Sequence, residues 1–86
     1  MEIVYSPKFN REYKKLPLKV KILAEDREPI FRRDPFKAIL KVHKLKGKLK
    51  DFWAFSIDYK YRIIFEFKEN NIVYFHSVGG HDIYDR

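Results

Sequence analysis

The stretch "FWAFSIDYKYRIIFEFKENNIVYFHSV", residues 52–78, decides the fold. It holds three runs, FWAFSID, YRIIFEF and NIVYFHSV, rich in aromatic and β-branched side chains and parted by YK and KEN. Separators that short are hairpin turns, so the runs are expected to form an antiparallel meander. Patterning changes to a period of two from Phe52 onward, and the last strand is expected to end near Gly79. The pleat is read as placing Val73 and Phe75 on opposite faces of that sheet.

Toward the N-terminus the periodicity is different. EIVYS alternates apolar and polar residues and predicts one short strand. Ser6 followed by Pro7 is an N-cap with proline at the first helical position, predicting a helix to about Leu16. Pro17 restarts a second helix, in which Val20, Leu23, Ala24, Ile30 and Phe31 share one face. Pro29 is expected to kink that helix, and Asp34 before Pro35 is expected to end it. The order β-α-α-β-β-β makes residues 1–86 a single α+β domain, both helices packed on one face of an antiparallel sheet, with the opposite face free for a partner.

Composition bounds the function. A domain of 86 residues buries only about 60% of its unfolded surface, so its core needs large side chains; eight Phe, six Tyr and one Trp supply them. There is no cysteine, which is compatible with a reducing cytosol and excludes thiolate-metal sites. His43, His76 and His81 match no usual zinc spacing, so neither metal nor cofactor is expected, and His76, in mid-strand, reads as a structural or face-lining residue. No secretion signal and no apolar run long enough for a membrane span are visible, giving the expectation of a cytoplasmic protein without membrane contact. The net charge of +7 and pI near 9.7 favour a polyanion, an acidic protein, or both as partner.

In KVHKLKGKLKD, Lys44, Lys46, Lys48 and Lys50 alternate with Leu45, Gly47 and Leu49. An extended backbone would line the lysines along one side. Such a ridge tracks phosphates, beside an exposed Trp53 or Tyr59 on which a base stacks; alternatively it is a solvated edge that discourages aggregation.

The stretch HKLKGKLKDFW, the strand opening YRIIF and the ending VGGHDIY, in that order after two helices, resemble the RelE-like toxins of bacterial and archaeal toxin-antitoxin modules. The nearest subgroup is the YafQ and YoeB type, whose members cut messenger RNA, commonly on the ribosome. The resemblance implies an mRNA endoribonuclease working by acid-base chemistry without metal, partnered by mRNA, the ribosome and a cognate acidic antitoxin protein. A non-enzymatic inhibitor resembling the ParE branch, which poisons DNA gyrase by protein contact, is the alternative of another class, and a decayed RNA-binding remnant is a third.

Cleavage of this kind needs a base for the 2′-hydroxyl, a cation for the pentavalent phosphate and an acid for the departing 5′-oxygen. Arg62 matches the family's arginine at the start of a strand and suits the phosphate; otherwise it pairs with Glu66. His81 follows the VG pair, where the family places an acid-base residue, and is the expected general acid. Tyr84 is expected to stack on the base or bond the phosphate. The alternative for GGHDIY is a terminal segment in which Ile83 and Tyr84 pack on the sheet for stability, though Gly79 and Gly80 suggest a sharp bend near a ligand. His43 matches a histidine of YafQ-like members and is either the base or a loop residue bonded to backbone. Asp58 is either a replacement base or a turn aspartate.

Overall fold

Ser6 sets the chain's first change of direction. In the computed structural model, which describes residues 1–85 apart from the side chains of His81 and Asp85, its hydroxyl accepts the Phe9 N–H at 2.8 Å and donates to the His76 carbonyl at 2.7 Å. One side chain thus caps a helix and ties that helix to the sheet. Strand β1 (Glu2–Tyr5) ends there, and α1 (Pro7–Lys14) begins with proline at its first position. Helix α2 (Leu18–Arg33) runs through Pro29, which has no N–H to offer the Glu25 carbonyl, and Asp34 ends it in an extended conformation before Pro35. The helix stops earlier than expected in α1, at Lys14 rather than near Leu16.

The sheet continues with β2 (His43–Lys44), β3 (Trp53–Ser56), β4 (Arg62–Phe67) and β5 (Ile72–Gly79), in the spatial order β1-β5-β4-β3-β2. Strands β2 to β5 pair antiparallel, as the hairpin turns require. The turn between β4 and β5 places Asn70 and Asn71 at φ 60° each, the left-handed pair of a type I′ turn that asparagine tolerates. β1, expected in an antiparallel sheet, lies parallel to β5 instead. The two helices deliver the chain to the far edge, so the meander works back and its last strand arrives beside β1 in the same direction. β2 is an additional strand, too short for a period of two to register.

Both helices cover one face. Phe31 of α2 is fully buried, stacked on Phe55 at 4.7 Å and edge-on to Phe65 at 4.9 Å and Phe75 at 5.6 Å. Phe9 of α1 meets Phe75 at 5.5 Å. Val73 and Phe75, expected on opposite faces, both lie in this core, as residues two apart in a pleated strand must. A bulge between Ile64 and Phe65 places His76 and Ser77 together opposite that junction, after which Val78 returns to the core.

The outer face is not free as expected. Ala54, Ile64 and Ser77 are buried there, Phe52 packs tilted against His76 at 5.0 Å, and Ile83 from the 3₁₀ turn His81–Asp85 is 3% exposed. A small second apolar layer therefore forms where the sequence reading left a bare sheet.

Candidate functional site

Arg62 opens β4 opposite Ser56 of β3 and Gly79 of β5, so its side chain stands on the outer face. Its Nη1 donates to the Asp58 carbonyl and, at 3.2 Å, to the Tyr61 carbonyl. Asp58 shapes the same loop, its Oδ1 accepting the N–H groups of Lys60 at 2.9 Å and Tyr61 at 2.7 Å. These bonds are those of a turn aspartate. Glu66, considered as a partner for Arg62, pairs with Lys68 at 3.1 Å.

Tyr84 comes to the same place from the other end of the chain. Burial pushes its phenol pKa up, while the charge of the Arg62 guanidinium and a hydrogen bond with it pull the other way. The phenol is thus neutral at physiological pH, accepting from a cation that still has donors to spare. His81 begins the turn two residues after Gly79, the cross-strand partner of Arg62. Its side chain, the expected general acid, lies outside the described residues. At Gly80 the bend does not demand glycine: its φ is not positive, and a Cβ there would meet Asp82 and Lys60 at ordinary distances of 3.6 and 3.8 Å.

His43 stands opposite Ala54, which stands opposite Ile64, so the three share the outer face with Arg62. Two strand spacings and two residues separate His43 from Arg62, roughly 12 Å between Cα atoms. Its Nδ1 lies 3.1 Å from the Lys41 carbonyl. A carbonyl only accepts, so Nδ1 carries the proton and Nε2 of the neutral ring keeps its lone pair. Lys41 reaches that position through a left-handed backbone, φ 51°. Between His43 and Arg62 the floor is built of the small residues Ala54 and Ser56.

The lysines do not form an extended ridge. Gly47, at φ 66°, turns the chain into a 3₁₀ segment, Gly47–Leu49, so alternation stops after Lys46. Lys44, Lys46, Lys48 and Lys50 are all exposed, with Leu45 and Leu49 half-buried beneath them. Lys44 pairs with Trp53 and so shares the helix-side face rather than that of His43. Trp53, expected to be exposed, packs edge-on against Phe36 at 5.9 Å and Phe67 at 5.4 Å. Tyr59, at the tip of the β3–β4 hairpin, is 85% exposed, in the loop whose carbonyls Arg62 holds.

Two features escaped the sequence reading. Glu12 of α1 accepts the Val78 N–H at 3.1 Å, satisfying β5 beyond the end of β1. Lys60, its ammonium 5.4 Å from the Tyr61 ring centroid, lines with Lys15, Tyr61 and Gly80 a cavity of about 400 Å³ at the Arg62 end of the sheet. A lysine in a turn carries no pattern that separates it from its neighbours. His76, read as face-lining, has its pKa lowered by burial and then by the charge of Lys8. No group of three or more histidine and carboxylate side chains placed to hold a metal ion occurs among the described residues.

Residues 6–81 match the family model of the YoeB-like toxin of bacterial type II toxin-antitoxin systems. No curated protein matches the sequence. Among solved structures, the chain is similar to a YoeB/ParE toxin from Agrobacterium tumefaciens, with 17% identity and a TM-score of 0.76 over 94% of this chain and 99% of that one. It is similar to the YoeB–YefM complex from Staphylococcus aureus, with 21% identity and a TM-score of 0.75 over 94% and 97% of the two chains. The toxin-antitoxin complex RelBE2 from Mycobacterium tuberculosis gives 15% identity and a TM-score of 0.77 over 93% and 96%. At these identities the structural likeness speaks for the fold.

Proposed function

The chain belongs to the YoeB-like toxins of bacterial type II toxin-antitoxin systems, and from that premise we propose that it is an endoribonuclease that cuts messenger RNA on the ribosome in the cytoplasm. The observation that carries the reading is the placement of Arg62 and His43 on one outer sheet face, across a floor of small residues, with the Arg62 charge acting on the neutral Tyr84 phenol. His43 Nε2 takes the 2′-hydroxyl proton, and the freed oxygen attacks the adjacent phosphorus. A 2′,3′-cyclic phosphate forms as the bond to the 5′-oxygen breaks, and His81 returns a proton to that oxygen. Arg62 meets the charge that grows on the non-bridging oxygens, with Tyr84 holding its fork in register. Asp58 serves the loop and takes no proton. Tyr59 stacks on a neighbouring base, and Lys46, Lys48 and Lys50 follow the phosphate backbone.

A cognate acidic antitoxin protein is the neutralising partner, in keeping with the charge of +7. No helix among the described residues is long and apolar enough to cross a membrane. The family match favours this reading over a ParE-like gyrase inhibitor. The test is single-turnover cleavage of mRNA on programmed ribosomes, with supercoiling by gyrase assayed in parallel. Cleavage that is lost in both Arg62→Ala and His43→Gln supports the proposal. Intact RNA with blocked supercoiling overturns it in favour of the inhibitor.

A further inference from the structure

Between α1 and α2, on the side of the sheet away from Arg62 and His43, lies a cavity of about 300 Å³ that the cleavage chemistry does not use. One wall is a row of rings four residues apart: Tyr5 and Phe9 at a centroid distance of 5.5 Å, then Phe9 and Tyr13 stacked at 5.8 Å. Phe9 and Ile63 are buried, so the cavity is a recess with an apolar floor. The facing wall, from α2, carries Glu25 and Glu28 one turn apart, and no lysine or arginine lines the cavity among the described residues, on a chain of net charge +7. Glu28 is engaged, accepting the Tyr5 hydroxyl at 2.7 Å and facing Arg32 at 3.6 Å. Glu25 is exposed and makes no ion pair among the described residues; Lys21, one turn before it, gives its ammonium to the Lys14 carbonyl at 3.0 Å. Pro29 in the same wall has no N–H for the Glu25 carbonyl, so residue 25 offers a backbone acceptor as well as a carboxylate.

From this we propose that the cavity binds a small aliphatic diamine, its methylenes against the rings of Phe9 and Tyr13 and one ammonium on the carboxylate and carbonyl of Glu25. The proposal goes beyond the cleavage reading and does not depend on it. An ammonium has three donors and no acceptor, and the walls offer it acceptors: the Tyr5 and Tyr13 hydroxyls donate to Glu28 and to the Lys21 carbonyl, so toward a ligand their oxygens only accept. The Asn10 amide, also in the lining, adds an acceptor of its own. Aromatic faces attract a cation further. The Tyr13 phenol is held above its ordinary pKa by burial and then by the charges of Glu25 and Glu28, so the field of both carboxylates reaches the opposite wall. A hard metal ion fits less well, because it takes a shell of oxygens and gains nothing from an apolar floor. A lysine of a basic protein fits less well too, since the positive surface around the cavity repels the rest of such a partner. The volume is at the lower end of small-molecule sites, which suits a short chain.

The probe is diaminobutane, compared with butanediol, with sodium chloride at matched ionic strength and with a short lysine peptide. Titration into the isolated protein, followed by amide NMR spectra, is expected to give saturable shifts at Asn10, Tyr13, Glu25 and Glu28, and the diamine is expected to raise the melting temperature as a ligand of the folded state does. Butanediol and the lysine peptide are expected to bind at least tenfold more weakly, and salt to leave these amides in place. Glu25→Gln, at an exposed position, is expected to weaken the diamine at least tenfold with unchanged unfolding. Pro29→Ala keeps every charge and supplies the missing N–H; it is expected to weaken the diamine at least threefold without lowering the melting temperature. Both readouts use the protein alone, so failure here and failure of the nuclease reading are separable. Undiminished binding in either variant, equal binding of butanediol, the same shifts with salt, a lysine peptide that binds as tightly as the diamine, or shifts confined to the face of Arg62 would each overturn the proposal.

Discussion

Arg62 braces a loop and, in the proposed cleavage, also meets the phosphate, and its substitutions separate the two. Its Nη1 braces the loop carbonyls of Asp58 and Tyr61, and its charge acts on the Tyr84 phenol. Arg62→Lys keeps the charge without the planar fork. Single-turnover cleavage is expected to fall by about 10²-fold or more in Arg62→Ala and to recover only partly in Arg62→Lys, with circular dichroism confirming that both fold. His76 gives a pH test. Its pKa is lowered in the folded state, so the unfolded chain binds the proton more readily. Its contribution is therefore complete above the ordinary histidine value near 6.5 and is lost as pH falls through the lowered one. The melting temperature of the wild type is expected to drop more between pH 7 and pH 5 than that of His76→Gln, and equal drops would show that the burial of the ring does not matter. Spacing alone could not separate the roles of the histidines. What distinguishes His43 is a 3.1 Å approach to the Lys41 carbonyl, set by a left-handed residue that nothing in the sequence announces.

At the level of elements, the runs of Phe52 to Val78 and the Ser6–Pro7 start were legible because each rests on local chemistry: side-chain period, turn residues, and a cap. The lysine segment was not. Its alternation imitates a strand, yet Gly47 adopts a left-handed conformation and breaks the extended course into a 3₁₀ turn. The four lysines remain exposed, so their expected effect on RNA survives the change of backbone. Replacing Lys46, Lys48 and Lys50 with alanine should flatten the salt dependence of RNA binding, by about 0.7 in log–log slope for each single-strand phosphate that is no longer neutralised. An unchanged slope would reduce them to solvated edge residues. Ser6→Ala tests the junction of helix and sheet. It removes both the cap on Phe9 and the bond to the His76 carbonyl, and a loss of about 1–2 kcal/mol is expected in denaturant unfolding.

For the molecule as a whole, the two sheet faces were unequally legible. The helix side follows from amphipathic helices that must cover an aromatic sheet, and Phe31 among Phe55, Phe65 and Phe75 is its result. The outer side depends on Ile83, Phe52 and the bulge at His76, where distant segments meet in a way that no periodicity reports. Its closure makes the C-terminal turn part of the fold, and in the proposed mechanism part of the site as well. Ile83 is as buried as a core residue, and Tyr84, next in sequence, feels the charge of Arg62. Packing and the proposed chemistry thus fall on adjacent residues and can be pulled apart. Ile83→Ala is expected to destabilise by about 2–5 kcal/mol, as truncation of a buried isoleucine does, and to lower cleavage by loosening the turn. Tyr84→Phe keeps the ring but removes the hydroxyl; it should slow cleavage at least tenfold while leaving the melting temperature nearly unchanged. His81→Ala should do the same if its imidazole delivers the proton, since general acid catalysis contributes about 10²–10⁴-fold. The measurement is single-turnover cleavage beside thermal unfolding for all three variants. Full activity in His81→Ala would move the acid elsewhere, and parallel loss of activity and stability in Tyr84→Phe would leave the turn a structural clasp alone.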